Sequence, residues 1–180
     1  MHARMAALAA VSLACVACWP GPGGVARAQD SGRDIPQSER VEHEGVLERL
    51  GIIAKRTTPS GPAAQKVLAV MEPHLAHQAE VLLPPLVLLP ALANDDPSPD
   101  MRWAIALADR VKAEHDSLQR THQALTEALK ALRDAAAAEN DHSTVGFVND
   151  LIADDLGDQE ITEPTAILIG EFLRSQLPPQ

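Results

Sequence analysis

Apolar residues recur every three or four positions along most of the chain, the spacing that lines one face of an α-helix. In the first such stretch Val46, Leu50 and Ile53 share their stripe with His43. It opens near Pro36 and Ser38 and must stop before the run of breakers from Thr57 to Pro62. The second helix begins after Gly61-Pro62, proline being suited to a first turn, and its seam reads Val67, Met71, His74, Gln78, Val81. Pro73 lies inside this pattern and predicts a kink, or a carbonyl freed one turn earlier. Prolines 84, 85, 90, 97 and 99 then interrupt an apolar stretch, which predicts a packed crossover with only short helical pieces. The third helix is the clearest, from Pro99 or Asp100 to Glu139 without Gly or Pro inside it, and its seam is Ala108, Val111, His115, Leu118, His122, Leu125, Leu129, Leu132. The fourth starts near Ser143 as N-cap and runs through Phe147, Leu151, Asp154, Asp158 and Ile161, weakened by Gly157 and Pro164. A last helical piece covers Ala166 to Leu173. No strand alternation or internal repeat competes, so the pattern predicts an all-α, up-down four-helix bundle with a Pro-rich crossover between its second and third helices.

Composition changes this picture at the N-terminus. Arg4 precedes an apolar run from Met5 to Cys18, and Ala26-Arg27-Ala28 follows, which is the pattern of a secretory signal cleaved after Ala28. Residues 29–37 form an arm without periodicity, and 38–177 the bundle. Both cysteines, Cys15 and Cys18, fall in the leader, so the mature chain is expected to be exported, periplasmic and free of disulfides; acylation at one of them is the alternative. No later stretch reads as a transmembrane segment. Removing Arg4 and Arg27 from the 15 basic residues leaves 13 against 25 acidic ones, a charge of −12. Such a surface repels nucleic acid and anionic membranes. Outside the leader only Trp103, Phe147 and Phe172 are aromatic, which argues against sheet sandwiches.

Candidate chemistry comes from the polar positions in the seams. Bundle cores build metal sites from inward side chains on facing helices, with His and carboxylate three or four residues apart reaching one ion. Here His43, His74, Gln78, His115, Asp154 and Asp158 offer donors from all four helices, and imidazole with carboxylate suits iron, zinc or manganese. Each also has a plainer explanation. A seam histidine such as His43 is often a core residue bonded to a carbonyl, His122 faces packing alone, and His77 and His142 sit in solvent or at the rim. Asp155 and Gly157 allow the fourth helix to bend and leave Asp154 and Asp158 in water. No nucleophile–base pair, phosphate loop or cofactor fingerprint appears, so an ordinary hydrolase or transferase reading has no support.

The stretch Glu72-Pro-His-Leu-Ala-His-Gln-Ala-Glu-Val-Leu-Leu-Pro-Pro-Leu86 resembles the His-Pro-His-Phe-x-x-Glu-Glu-Glu segment, ending in Leu-Pro-Pro-Leu, of bacterial hemerythrin-like (HHE cation-binding) proteins. Glu160 to Arg174 is similar to that family's closing segment, and Glu42-His43 and Glu114-His115 fit the same plan, so the likeness covers about residues 39–176. The resemblance implies a bundle around non-haem iron, as a di-iron centre, that binds O2 or a related small molecule, senses it or handles iron. It carries ligand roles to His43, His74 and His115. Gln78 stands where the family has a ligand glutamate, Asp154 where it has a histidine, Asp158 where it has that histidine's glutamate partner, and Glu72 where it has another histidine. The expectation is therefore an exported metal-binding, non-catalytic or sensor-type protein with a depleted ligand set: His43, His74, His115, Asp154, Asp158, with Glu72 and Gln78 in reserve. The alternative is a structural or interaction bundle with no metal, its site lost.

Overall fold

The computed structural model describes residues 35–179; the expected leader and most of the arm lie outside the described residues. Among the described residues every regular element is helical. Helix α1 spans Gln37–Ala54, α2 Ser60–His77, α3 Leu89–Ala93, α4 Trp103–Ala138, α5 His142–Gly157 and α6 Glu163–Gln176. Wide, π-type turns at Gln78–Leu82 and Asp158–Thr162 extend α2 and join α5 to α6, and 3-10 turns at Pro84–Leu88 and Pro99–Arg102 flank the short α3. The described residues thus form four long helical stretches in a bundle-like arrangement.

The local chemistry explains these boundaries. Asn140 adopts φ 58 at the end of α4, and the Asp141 N–H reaches back to the Ala136 carbonyl at 2.9 Å, an αL stop. Asp141, not the expected Ser143, is the N-cap of α5, its carboxylate accepting from the Thr144 N–H at 3.0 Å. Pro73 does not break α2. Ala69 and Pro73 both lie on the exposed face, where water can satisfy the carbonyl that proline frees. Gly157 and Pro164 do not separate the fourth helix from the last piece either. Pro84 and Pro164 each follow a π turn by one residue, closed by Leu83 N–H to Gln78 O at 2.9 Å and by Glu163 N–H to Asp158 O. A proline ring clashes with the carbonyl four residues earlier, here Glu80 or Glu160, and a wider turn removes the clash without ending the helix.

Helix α4 is the axis of the packing, touching α2, α5 and α6, while α1 lies on α2. One dry cluster gathers Leu50, Ile53, Val67, Leu129, Leu132 and Val148 from α1, α2, α4 and α5. Farther along, Val81, Leu82, Val111, Leu118 and Ala166 form a second, and Leu88, Ala104, Ile169 and Leu173 a third. The α4–α6 contact is close: a Cβ added at Gly170 would sit 2.2 Å from that of Ala108. Among the described residues one stretch, Ser60–Ala93, is long and apolar enough to cross a membrane by length and composition alone, with a mean hydropathy of 1.4, which is not a clear transmembrane segment. Part of its apolar surface, Val67, Met71, Val81 and Leu82 among it, packs into the core.

Candidate metal centre

Between the first two dry clusters lies a polar layer. Helix α2 supplies His74 and the π turn that follows it Gln78, α4 supplies His122, α5 supplies Asp155, and α6 opens on Glu163; each is at most 5% exposed. The buried stripe of α5 runs Thr144, Phe147, Val148, Leu151, Asp155. From Leu151 it steps by four, so Asp155 turns inward and Asp154 stays exposed. Eight residues separate Asp155 from Glu163, too many for two α turns. The π turn takes up the extra residue and returns Glu163 to the same face.

The centre of the layer is His122. Its Nδ1 lies 2.6 Å from Asp155 Oδ1 and its Nε2 2.6 Å from Glu163 Oε1. Burial alone would depress this imidazole, but the two carboxylates outweigh it and hold its pKa at about 9. The ring is therefore a cation at neutral pH, donating from both nitrogens. Asp155 Oδ2 also accepts from Gln159 Nε2 at 3.2 Å and from Thr126 Oγ1 at 3.4 Å. His74 meets His122 edge to face, with centroids 5.1 Å apart. Burial first, then the neighbouring His122 charge, push His74 down to about 4, so it is neutral. The Gln78 amide nitrogen donates to Asp158 Oδ2 and lies 3.0 Å from His74 Nε2. An amide N–H can only donate, so His74 Nε2 is the acceptor and its proton sits on Nδ1. That Nδ1 is buried with no partner among the described residues.

Above this layer is a cavity of about 80 Å³ lined by Glu39, Glu42, His43, His74, Gln78, Asp154, Asp155 and Asp158 with apolar Val46, Met71, Leu75, Leu125 and Leu151. Desolvation raises Asp158 to about 6 against the hydrogen bond from Gln78. Asp154 is also raised, by desolvation and by the charges of Glu42 and Asp150, while burial lowers His43. Raised carboxylates and lowered imidazoles around one small space reflect their shared removal from water.

The expected residues therefore divide. His43, His74, Gln78, Asp154 and Asp158 meet around the cavity; Glu72 and His115 are exposed and take no part in its lining. At the level of His115 the inner side of α4 is filled by Val111 and Leu118 against Val81, Leu82 and Ala166. The core histidine of α4 is His122, one heptad later, for which packing alone was the expectation. Asp155 and Glu163 were not anticipated. The signal for Asp155 was the second way of stepping on from Leu151; that for Glu163 was its place just before Pro164, matching Leu83 before Pro84.

His74, His122 and Asp155 form a buried group that could hold a metal ion, each offering an atom within 4.8 Å of the others. The layer does not fit the two-iron centre that the resemblance implies. A bridging carboxylate is missing at Gln78, and both nitrogens of His122 are taken by carboxylates. It does fit one ion. His74 Nε2 carries a lone pair, Asp155 and Asp158 bring anionic oxygens beside it, and nitrogen with carboxylate oxygen suits a divalent transition metal. No family model, no curated protein and no solved structure matches this chain.

Proposed function

We propose that this is an exported, hemerythrin-like up-down four-helix bundle that binds one divalent transition-metal ion, non-haem iron being the leading candidate, in the cavity above His74. The observation that carries the reading is the convergence of His74 and Asp155 in one buried group beneath a cavity also lined by His43, Asp154 and Asp158. An ion there would relieve the raised Asp158 and displace the Gln78 amide from His74. A space of about 80 Å³ admits an ion with a few water-sized ligands. That favours O2 or another diatomic as the small ligand over an organic substrate, and sensing or iron handling over turnover. His43 and Asp154, at the partly open rim, would close the shell or admit the small ligand.

The test is metal content. Stripped protein titrated with Co(II), Zn(II) and anaerobic Fe(II) should take up one equivalent, with a tetrahedral or five-coordinate Co(II) visible spectrum that is lost in His74→Ala. Gln78→Glu adds an anionic oxygen and should tighten binding by about tenfold, roughly 1.4 kcal/mol. Less than about a tenth of an equivalent of any of these ions in the wild type would sink the proposal. A second reading is favoured by one specific observation: Gln78, Asp158, His122, Asp155 and Glu163 already satisfy one another by hydrogen bonds. Side chains paired in this way suit a structural or interaction bundle whose metal site has been lost, and the same titration separates the two.

A further inference from the structure

A second space lies between α2 and α4, a groove of about 690 Å³, which falls within the roughly 300–1,000 Å³ of small-molecule sites. Ala69, Val70 and Pro73 of α2 and Leu118 and Ala124 of α4 give it an apolar lining. A bond between His77 Nε2 and Glu114 Oε2 ties the two helices across it, and Glu114 also accepts from Arg110 Nε at 2.8 Å. The one carboxylate in the lining is therefore already matched. Arg120, which also lines the groove, has no ion pair or hydrogen bond among the described residues. In a chain of net charge −10, a guanidinium left without a carboxylate on a groove wall marks a place for an anion.

The buried side of the wall points the same way. His74, 4% exposed, lines the groove as well as the cavity. Its Nε2 accepts from Gln78, which lines the cavity alone, so Nδ1–H is the polar group its ring has left. Among the described residues two buried side-chain polar atoms have no partner, this Nδ1 and His77 Nδ1, and both belong to residues of the groove. A buried N–H without an acceptor is costly, and a ligand oxygen relieves that cost.

We propose that the groove between α2 and α4 binds a small organic monocarboxylate with an apolar body, its carboxylate held by Arg120 and the His74 N–H and its body laid on Val70, Pro73, Leu118 and Ala124. The guanidinium fork matches the two oxygens of a carboxylate. A single free cation, with Glu114 on the same wall, suits a monoanion better than a phosphate dianion. The site does not rest on the metal-binding reading, because it uses the ring nitrogen of His74 that faces away from Gln78. Where both hold, ion and carboxylate share one imidazole, and each changes the affinity of the other.

The experiment uses the whole chain stripped of metal, with 4-fluorobenzoate as the probe followed by 19F NMR. Binding should saturate, be displaced by benzoate, and be at least about tenfold tighter than that of neutral 4-fluorobenzamide or of inorganic phosphate. Arg120→Gln should weaken it by about tenfold, and Ala124→Trp, which fills the groove, should abolish it. Both positions are exposed, so melting temperatures should stay close to that of the wild type. With 15N-labelled histidine, the ring signals of His74 should move as the probe is added. Absence of saturable binding, unchanged affinity in either variant, phosphate bound as tightly as the probe, or binding that leaves the His74 signals in place would each overturn the inference. Since no metal is present, such a result leaves the proposed function standing, and a failure of metal uptake leaves this site standing.

Discussion

Two neighbouring layers of the same helices are built on opposite terms. In the dry layer, Leu50 and Ile53 of α1 meet Leu129 and Leu132 of α4 and Val148 of α5, all at most 2% exposed. Each such side chain contributes about 1.5–3 kcal/mol on burial and asks nothing of its neighbours beyond shape. Two turns away along α4, His122, Asp155 and Glu163 are buried to a similar degree. Their mutual attraction at best offsets the loss of water, and each depends on the others being present. The end of the bundle near the dry layer is fastened by part-buried polar contacts, Arg56 on Asp141 at 2.6 Å and Glu139 on the Ser60 N–H at 2.7 Å. The contrast separates stability from chemistry: the apolar layer can exist for folding alone, whereas a charged layer of no net benefit to folding asks for another reason to persist.

Removing one member of the charged layer should therefore have the largest effect. Glu163→Ala removes one of the two carboxylates that hold His122 and leaves its Nε2–H buried without an acceptor, and should lower stability by about 3–5 kcal/mol in urea unfolding at pH 7. Glu163→Gln, which keeps an acceptor, should lose less. A cost for Glu163→Ala below about 1 kcal/mol would mean that water enters the layer and the contrast is wrong. Leu129→Ala in the dry layer should cost about 2–5 kcal/mol by lost transfer and cavity. It should leave metal uptake and its stoichiometry unchanged in the folded protein.

How much of this contrast can be read from sequence follows from the same physics. The dry layer was legible because apolar periodicity has one solution: Leu125, Leu129 and Leu132 can only face inward. The polar layer was legible as a place, since His74 and Gln78 interrupt the seam of α2, but not as a set of partners. An aspartate at 154 or at 155 continues the stripe from Leu151 equally well, and only the packing of α5 on α4 selects Asp155. The π turns shift the helical phase by a residue, so that Glu163 reaches His122, and that shift has no signature beyond a proline one residue later. His115 and His122 differ by one heptad, and periodicity cannot rank them; the filling of the intervening layer by Val111 and Leu118 does.

The two layers should also differ in their response to pH. His122 is raised from 6.5 to about 9 in the folded protein. A cation favoured by the native state stabilises it fully below the unfolded pKa, and that contribution is lost as pH rises through the folded one. Metal-free wild type should lose roughly 3 kcal/mol between pH 6.5 and 9 from this group, at 1.36 kcal/mol per unit. Calorimetry across that window checks it. Leu129→Ala should show the same slope displaced downward, and His122→Ala should show the slope abolished. A wild-type profile flat from pH 6.5 to 9 would remove the charge from the layer.

The smallest effect is expected at His115, and it bears most directly on where the boundary of the layer runs. His115 shares a helical seam with His122 in any periodic projection, yet it is exposed, while Val111 and Leu118 on either side of it are buried. A solvated histidine with no buried partner contributes little, so His115→Ala should change stability by no more than about 0.5 kcal/mol. Because its ring is absent from the lining of the cavity, Co(II) uptake and the Co(II) spectrum should be those of the wild type. If His115→Ala instead reduced uptake as strongly as His74→Ala, the helix would have to present a different face to the cavity. The polar layer would then extend one heptad further along α4 than its hydrogen bonds place it.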